Sequence, residues 1–379
     1  MRWRAGCSSE SGDVRIVYYY SSHQFDSGSP KALIAMIDAL DRERFEPLFW
    51  ATGNGPLTEE LARRGVTLLR GPAGAVSRRH PAAALRRIVA QASTLRRARI
   101  DLLHVNEYSW NLDLVLGAKL AGIPVILHAH NPVNIERWNL DRMVADRILF
   151  VSDAHRRTTG HLERIGDKAR VLHNPLDVEH YAGGQPIRPA LGLHDDDIVV
   201  LSIGHVVPAK GTDLLLDVAA RLVPLHPRLQ FLVAGPAKQG YEDFDRAMRA
   251  RAEEPGLAGR VRFLGARADI PDLLRSADLF VFPSRGETFG LVVGEAMAAS
   301  LPVVTTNVGG IPEVVGEPDA AVMLPVDDRT AFTCAVERLV QNPEERLALG
   351  ARGRRSVEQH FGRAAFARDL EAIYRELVC

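Results

Sequence analysis

The segment Ser284-Arg-Gly-Glu-Thr-Phe-Gly-Leu-Val-Val-Gly-Glu-Ala-Met-Ala-Ala-Ser-Leu-Pro-Val-Val304 decides more about this chain than any other stretch. It places two carboxylates, Glu287 and Glu295, eight positions apart on a turn that becomes a helix. Eight helical residues rise about 12 Å, so the two side chains could contact the ends of one elongated polar ligand. The first helical N–H groups can face an anion because they have no partner within the helix; they belong to Phe289, Gly290 and Leu291. The spacing alone favours a plainer structure, a buried helix with one capping and one surface glutamate.

Composition indicates a globular protein of two domains. The 379 residues are too many for one ordinary core, and 46% apolar with 25% charged residues is typical of soluble proteins. A formal net charge of zero does not favour nucleic acid as a partner. The three cysteines lie far apart without metal or disulfide spacing, which fits a reducing cytoplasm. No apolar run approaches the ~18 residues of a membrane span, and we expect residues 1–13 to be a disordered lead-in rather than a secretory signal.

Short β-prone runs alternate with helical patterns along the whole chain. A helix is predicted from Lys31 to Leu40, and the alternation restarts at Ile198 after a stretch rich in Gly, Pro and Asp. This order is typical of βαβ units and a parallel sheet. We therefore predict an α/β protein with two Rossmann-like, doubly wound parallel-sheet domains, 1–180 and 181–379, facing a central cleft. Ligands of such sheets collect beyond the carboxyl ends of the strands, so the cleft is the expected site.

Two candidate features of the first half follow predicted strands. The polar loop Ser21–Pro30 contains Gly28, whose dihedral freedom lets the backbone approach a ligand closely. His130 ends another strand, with His128 two residues earlier on the same face, and a histidine there can be structural or catalytic. No Gly-x-Gly-x-x-Gly motif occurs, which argues against a dinucleotide-dependent dehydrogenase.

The second half offers glycine-containing loops at its strand ends. The loop from Gly204 and His205 to Gly211 sets Lys210 beside a glycine just before a helix. An ammonium group and closely approaching backbone there would form a phosphate clamp; the alternative is a solvated surface lysine. After a later strand, backbone groups could meet a heteroaromatic base at Gly265, Ala266 and Arg267.

Positive charge is concentrated in residues 61–100, which contain ten Arg and no Asp or Glu. Apolar residues recur there at helical spacing, which favours a helix packed on a sheet with a solvated basic face. The second interpretation is a docking surface for an anionic lipid or an anionic acceptor. The predicted buried stripe is Leu85, Ile88, Val89, Ala92 and Leu95, with Arg86, Arg87, Arg96 and Arg97 mostly off it.

Five blocks in order resemble the retaining glycosyltransferase family 4, which has the GT-B architecture. They are Gly204…Lys210-Gly211, Val261-Arg-Phe-Leu-Gly265, Ala277-Asp-Leu-Phe-Val-Phe-Pro-Ser284, Glu287…Glu295-Ala-Met297, and Pro302-Val-Val-Thr-Thr306 with Gly309-Gly-Ile-Pro-Glu313. The first half resembles the family mainly in layout, through the first-strand loop, His130, Val151-Ser-Asp153 and Asn174-Pro-Leu-Asp177. In this family the first half binds the acceptor and varies with it.

The resemblance implies a role for each matching residue. Lys210 would pair with the donor diphosphate, Glu295 with the ribose hydroxyls, and Glu287 with the hydroxyls of the donor sugar. Gly28 would lie near the diphosphate and His130 beside the reacting sugar, and the last helix, about 362–379, would return to the first domain. The other implied donor-binding residues are Gly204, His205, Gly265, Ala266, Arg267, Phe289, Gly290 and Leu291.

The activity implied by the resemblance is transfer of a sugar from a nucleotide-diphosphate sugar to an acceptor hydroxyl, with retention and without a metal or other cofactor. The acceptor class stays open among lipid, polysaccharide and small molecule, with peripheral contact at the inner membrane face through residues 61–100. Two alternatives also stay open: a nucleotide-sugar epimerase of the same architecture, and a non-catalytic relative that binds a nucleotide sugar.

Two residues depart from the family pattern. His205 stands where the family usually has Arg, and a histidine is cationic only when its pKa allows. The affinity for diphosphate is therefore in question at this position. Ser300 stands where the family usually has Gly, and we expect this change to cost little.

Overall fold

The computed structural model describes residues 14–24, 28–74, 81–107, 112–131, 144–160 and 162–378. They form two compact units. Unit 1 combines the described residues up to Pro175 with those from Arg363 onward, and unit 2 spans Leu176–Gly362. The expectation for residues 1–13 lies outside the described residues, as do positions 75–80 of the basic segment.

Each unit is built on a parallel sheet, as predicted. Within the described residues, unit 1 has seven strands in the order β3-β2-β1-β4-β5-β6-β7, and unit 2 has six in the order β10-β9-β8-β11-β12-β13. The strands are β1 Val14–Tyr19, β2 Phe45–Ala51, β3 Thr67–Arg70, β4 Leu102–Val105, β5 Val125–Ala129, β6 Arg147–Phe150, β7 Ala169–Val171, β8 Ile198–Ile203, β9 Leu229–Ala234, β10 Val261–Gly265, β11 Leu279–Phe282, β12 Val303–Thr306 and β13 Val322–Leu324.

Helices connect the strands and cover the sheets. The described α-helices are α1 Gly28–Ala39, α2 Pro56–Arg63, α3 Pro81–Arg97, α4 Leu112–Ala121, α5 Asp153–Thr158, α6 Val178–Ala182, α7 Thr212–Leu222, α8 Glu242–Ala252, α9 Ile270–Ser276, α10 Leu291–Ala298, α11 Ile311–Val315, α12 Arg329–Gln341, α13 Pro343–Phe361 and α14 Arg363–Val378.

The first sheet separates two apolar clusters. Ile16 and Tyr18 of β1 enter one cluster, which α1 and α14 complete, whereas Val17 and Tyr19 enter the other with side chains of α3 and α4. Successive side chains of a strand point to opposite faces, so continuous apolar strands bury both faces of a parallel sheet. This is the doubly wound arrangement that the sequence predicts.

Both strand orders reverse direction at the first strand of the unit. The reversal lies between β1 and β4 in unit 1 and between β8 and β11 in unit 2. Such a switch point leaves a crevice at the carboxyl ends of the two strands, and open α/β sheets bind their ligands there. The loops that follow these four strands are therefore the places to look for a site.

Ser300 gives α10 an unusual C-terminus. Leu301 N donates to Ala296 O at 3.0 Å and Ser300 N donates to Met297 O at 2.9 Å, which is the Schellman pattern. Ser300 holds the left-handed position of that motif with φ 61°, where glycine is usual because a Cβ there is strained by about 1–2 kcal/mol. The family departure at this position therefore introduces backbone strain.

We predict that Ser300→Gly raises the free energy of unfolding by about 0.5–1 kcal/mol, because relief of the left-handed strain outweighs the extra freedom of the unfolded chain. Urea unfolding of the full chain measures it. Ser300→Ala is the control, since it keeps the Cβ and should bring no gain. A lower unfolding free energy for Ser300→Gly would contradict this account of the turn.

Candidate active site

The loop that carries Lys210 lies at the switch point of the second sheet. A short turn, Pro208–Lys210, ends at Gly211 with φ 70°. A Cβ on Gly211 would lie 2.0 Å from the carbonyl oxygen of Pro283, so only glycine lets this loop pack against the end of β11. The Lys210 ammonium lies 5.5 Å from the ring centroid of Phe282 and forms an ion pair with Glu287.

The loop that carries Glu287 is bonded to the lysine loop. Arg285 N donates to Ala209 O at 2.7 Å, and the buried Ser284 hydroxyl lies 3.0 Å from Ala209 O and 3.1 Å from Glu287 Oε1. A Cβ on Gly309 would lie 1.8 Å from the Glu287 carbonyl oxygen. The structure thus brings Lys210 and Glu287 together.

Arg285 joins three loops around this ion pair. Its guanidinium donates to both carboxylate oxygens of Asp213, at 2.8 and 2.7 Å, and to Asp327 Oδ1 at 2.8 Å. These two carboxylates raise the pKa of Arg285 above its ordinary value. Burial pushes the pKa of Asp213 upward, but the hydrogen bonds and charge of Arg285 outweigh it and hold that pKa below its ordinary value. A bidentate pair of this kind fixes orientation as well as distance.

The helix between the two glutamates is shorter than predicted. It begins after its N-cap Gly290, which has φ 98°, so residues 287–289 form a turn. Only Leu291–Glu295 is helical, a rise of about 6 Å. The prediction of eight helical residues is wrong because the turn that precedes Gly290 takes up half of the interval. The ring of Phe289 is buried and packs edge-on against Phe361, with 5.8 Å between the ring centroids.

Glu295 is buried within unit 2 and has a partner that the sequence did not indicate. The Tyr181 hydroxyl, on α6, donates to Glu295 Oε1 at 2.7 Å. Burial and the Glu295 charge both raise the pKa of Tyr181 above its ordinary value, so the phenol stays protonated and continues to donate. Tyr181 thereby orients the carboxylate that the resemblance assigns to ribose.

The remaining predicted donor residues of unit 2 follow strands β8 and β10. Gly204 directly follows β8, and His205 has a buried Nδ1 without a hydrogen-bond partner among the described residues. Gly265 ends β10 with φ 68°, and Ala266 after it is exposed. Arg267 pairs with Asp269, whose hydrogen bond raises the pKa of the arginine.

His130 follows β5, one strand away from the switch point of the first sheet, and lies next to Asn106. Asn106 follows β4, and its Nδ2 donates to the Ser29 carbonyl at 3.0 Å. Its Oδ1 therefore faces His130 Nε2, 2.9 Å away. Gly28 is exposed in the first turn of α1, so the predicted end of the Ser21–Pro30 loop is wrong: Pro30 suits a first helical turn, and the helix begins three residues before Lys31. Residues 25–27 of that loop lie outside the described residues.

His130 belongs to a group of buried histidines. His104, His128, His130 and His155 are all buried, and burial lowers the pKa of His104 and of His130 to about 3. Burial also lowers the pKa of His128 and of His155. The four rings are therefore neutral at physiological pH, because a low-dielectric interior disfavours the charged form.

The basic helix α3 differs from the predicted stripe. Leu85 and Val89 are 61% and 51% exposed, instead of buried. The buried side of α3 instead contains Ala84, Ala92 and Leu95. Arg87 is half-buried, and its Nε donates to the buried Asp113 Oδ2 at 2.8 Å. The exposed face is therefore mixed, with two large apolar residues among Arg86, Arg96 and Arg97.

Further observations concern metals, thiols and membranes. Over the described ranges, no group of three or more His, Cys, Asp or Glu could hold a metal ion. Cys334 is a free, exposed thiol. None of the helices in the described part of the chain is long and apolar enough to cross a membrane.

Comparison with known proteins gives matches along most of the chain. A family model for "Glycosyl transferases group 1" matches residues 185–356, and one for "Glycosyltransferase Family 4" matches residues 27–180. The chain belongs to the family 4, group 1 glycosyltransferases. The family models thus confirm the predicted family over most of both units.

Two curated relatives show how similar this chain is to known proteins. The lipopolysaccharide core biosynthesis mannosyltransferase LpsB of Rhizobium meliloti is 35% identical over 193 residues, 50% of this chain and 55% of the relative. The D-inositol 3-phosphate glycosyltransferase of Saccharomonospora viridis is 34% identical over 245 residues, 61% of this chain and 56% of the relative. The chain thus spans little more than half the length of these relatives.

The fold agrees with a solved structure over nearly the whole chain. HepE (Alr3699) of Anabaena in complex with UDP aligns over 96% of this chain and 100% of its own, with a TM-score of 0.79 and 20% identity. The same protein has been solved with UDP and glucose and with UDP-glucose. The likeness confirms the predicted GT-B fold.

Sequence analysis did not identify four residues that help to position the predicted site residues. Ser284 and Arg285 lie inside the segment quoted first, just after a strand, and that position could have indicated a role in the site. Asn106 follows β4 at the switch point, where a polar residue after an apolar strand is informative. Tyr181 had no signal, since its partner Glu295 lies more than a hundred positions away.

We predict that acid destabilises unit 1 through its neutral histidines. The folded pKa values of His104 and His130 lie near 3, below the ~6.5 of an unfolded chain, so at these two residues the unfolded state binds more protons between pH 6.5 and about 3. This contribution to the free energy of unfolding is complete above pH 6.5. It is lost as the pH falls through that window, by about 1.4 kcal/mol per pH unit for each histidine. Urea unfolding between pH 7.5 and 5.0 measures the slope.

Matched variants identify the source of that slope. His128→Gln should reduce it by about one histidine's share, whereas the exposed His194→Gln should leave it unchanged. An unfolding free energy that stays constant from pH 7.5 to 5.0 would show that the rings are not held neutral.

Proposed function

We propose that the protein is a retaining glycosyltransferase that moves a sugar from a nucleotide-diphosphate sugar to an acceptor hydroxyl without a metal ion. The observation that carries the proposal is the Lys210–Glu287 ion pair at the switch point of the second sheet. Family membership supports it. The mannosyltransferase and the D-inositol 3-phosphate glycosyltransferase among the relatives are consistent with it.

The donor would exchange partners with the ion pair. Lys210 would turn its ammonium from Glu287 to the diphosphate, since a doubly charged phosphate group competes well for a point charge. Glu287 would then accept hydrogen bonds from the sugar hydroxyls. The α10 N-terminus at Gly290 and Leu291 would add backbone N–H groups and a favourable dipole, and Glu295, oriented by Tyr181, would accept the ribose hydroxyls.

A uridine diphosphate sugar is the donor class we propose. HepE of Anabaena, which has the same fold, was solved with UDP and with UDP-glucose. The backbone at Gly265, Ala266 and Arg267 would meet the base, and Gly204 and His205 the phosphates. The roles of His130 beside the reacting sugar and of Gly28 near the diphosphate stay predictions.

The chemistry would rest on fixed positive groups at the leaving phosphate. Negative charge develops there in the transition state, so groups already oriented toward it lower the barrier. The acceptor hydroxyl would attack from the face that the diphosphate leaves, and a phosphate oxygen would take its proton. Lys210 and the helix N-terminus would take the place of a metal in this scheme.

We predict that Glu287→Gln and Lys210→Met each raise the barrier for transfer by about 2–4 kcal/mol, the range seen when one preorganised group is removed. Transfer from UDP-sugars, measured by release of UDP with an acceptor panel, checks this. The exposed Glu253→Gln and Lys238→Met are matched controls and should keep full activity.

Other outcomes of the same assay would replace the proposal. An isomerised sugar formed from donor alone would indicate an epimerase. Tight UDP-sugar binding without turnover would indicate a non-catalytic relative. An inverted anomeric configuration in the product would contradict retention, and loss of activity with a chelator, restored by a divalent cation, would contradict metal independence.

We further propose a cytoplasmic protein that contacts anionic membrane through α3. Leu85 and Val89 can enter the headgroup region while Arg86, Arg96 and Arg97 attract anionic lipid. A membrane-bound or anionic acceptor would suit this surface, because it would be held near the same unit.

For that contact we predict that vesicles with anionic phosphatidylglycerol bind the protein and neutral phosphatidylcholine vesicles do not. Arg86→Gln should weaken binding about fivefold, since one basic residue near such a surface contributes about 1 kcal/mol, and Leu85→Ser should weaken it as well. Leu225→Ser changes an equally exposed leucine of unit 2 and is the control. Equal sedimentation with both vesicle types would contradict the proposal.

A further inference from the structure

The last helix of the chain brings a buried hydroxyl into unit 1. Tyr374 of α14 is fully buried, and its hydroxyl lies 2.8 Å from that of Tyr18 and 2.7 Å from His104 Nδ1. It also lies 3.8 Å from Met36 Sδ. Each of these partners is buried, so the hydroxyl is part of a closed polar group inside the apolar core.

The polar group continues across the sheet toward His130. His104 Nε2 lies 3.4 Å from His128 Nδ1 on the neighbouring strand. The rings of His128 and His130 are 4.3 Å apart at their centroids, with an angle of 36° between their planes. The path Tyr374–His104–His128–His130 therefore runs through direct contacts, because β4 and β5 are neighbours and residues two apart share a face.

The hydrogen bonds couple the proton positions of the two inner rings. A neutral imidazole has one N–H and one acceptor nitrogen. If Tyr374 donates to His104 Nδ1, then His104 donates from Nε2 to His128 Nδ1, and both rings hold their proton on Nε2. If His104 instead donates from Nδ1 to Tyr374, both rings hold it on Nδ1. In either direction His104 and His128 share one tautomer.

The other end of the path is held independently. Because Asn106 Nδ2 donates to the Ser29 carbonyl, Asn106 Oδ1 accepts from His130 Nε2. His128 Nε2, beside His130, is buried and has no hydrogen-bond partner among the described residues. The position of the His128 ring is therefore fixed by its Nδ1 contact and by packing. A change of tautomer at His104 would consequently alter the His128 ring, which supports His130.

We propose that Tyr374 is a positioning residue for His130. Its hydroxyl sets the tautomer of His104, which sets that of His128, and the oriented His128 ring supports the His130 ring. The part that concerns sugar transfer rests on the proposed function, whereas the coupling of the rings does not. A helix that follows unit 2 in the chain would thus complete the geometry of a predicted site residue in unit 1.

The test is Tyr374→Phe in the full chain, which removes one oxygen and keeps the ring contacts with Phe45 and His104. We expect the donor KM to stay unchanged and kcat to fall about tenfold, because a small displacement of a reacting group lowers the rate of the chemical step. Imidazole ¹⁵N shifts in ¹⁵N-histidine protein should change at His128 and His130, although neither contacts Tyr374. Tyr18→Phe is the control: it leaves the Tyr374–His104 bond intact and should leave both shifts and kcat in place.

The outcomes separate this inference from the proposed function. Unchanged His130 shifts, or unchanged kcat in Tyr374→Phe, would overturn the inference while an active wild-type enzyme leaves the function intact. Conversely, a wild-type protein without transfer would overturn the function, and the shifts would still test the coupling. Should Tyr374→Phe fail to fold, the wild-type spectrum decides: opposite tautomers of His104 and His128 overturn the inference, and a shared tautomer supports it.

Discussion

Backbone contacts that only glycine permits hold the loops of the unit 2 site together. A Cβ would lie 2.0 Å from Pro283 O at Gly211, 1.9 Å from Gly204 O at Gly235, and 1.8 Å from Glu287 O at Gly309. Side chains at these positions would force the strand ends apart. Because the loops after β8 and β11 meet backbone to backbone, the Lys210 ammonium and the Glu287 carboxylate can pair, and the proposed donor contacts of these two residues depend on that closeness.

The candidate site residues of the two units differ in charge. Unit 2 keeps charges and pairs them: Lys210 with Glu287, and Arg285 with Asp213 and Asp327. Unit 1 keeps a row of histidines uncharged, since burial lowers their pKa values. Paired charges can be exchanged for those of an anionic ligand, whereas neutral rings connected by hydrogen bonds have a fixed orientation. The paired charges of unit 2 suit binding of an anionic ligand, and the neutral rings of unit 1 suit positioning of a side chain.

Local sequence patterns predicted the fold well because each strand and helix has its own apolar period. Strands such as Ile198–Ile203 and helices such as Thr212–Leu222 lie where periodicity places them. Errors arose where tertiary contacts decide the outcome. On α3, Arg87 pairs with a buried aspartate while Leu85 and Val89 are exposed, and the helix after Glu287 begins late because Gly290 adopts a left-handed turn. Tyr181, Arg285 and Tyr374 act across long separations that no local pattern reports.

The position of α14 has a consequence for biosynthesis. Phe366, Leu370, Ile373 and Tyr374 belong to the apolar cluster on one face of the first sheet, yet the ribosome makes them after the whole of Leu176–Gly362. Domains generally fold in the order in which they emerge, but here the earlier-made sheet lacks part of its covering until translation has passed the later unit. That face of the first sheet therefore stays partly uncovered until α14 has been synthesised. The second unit, in contrast, already has all of its own segments available to fold.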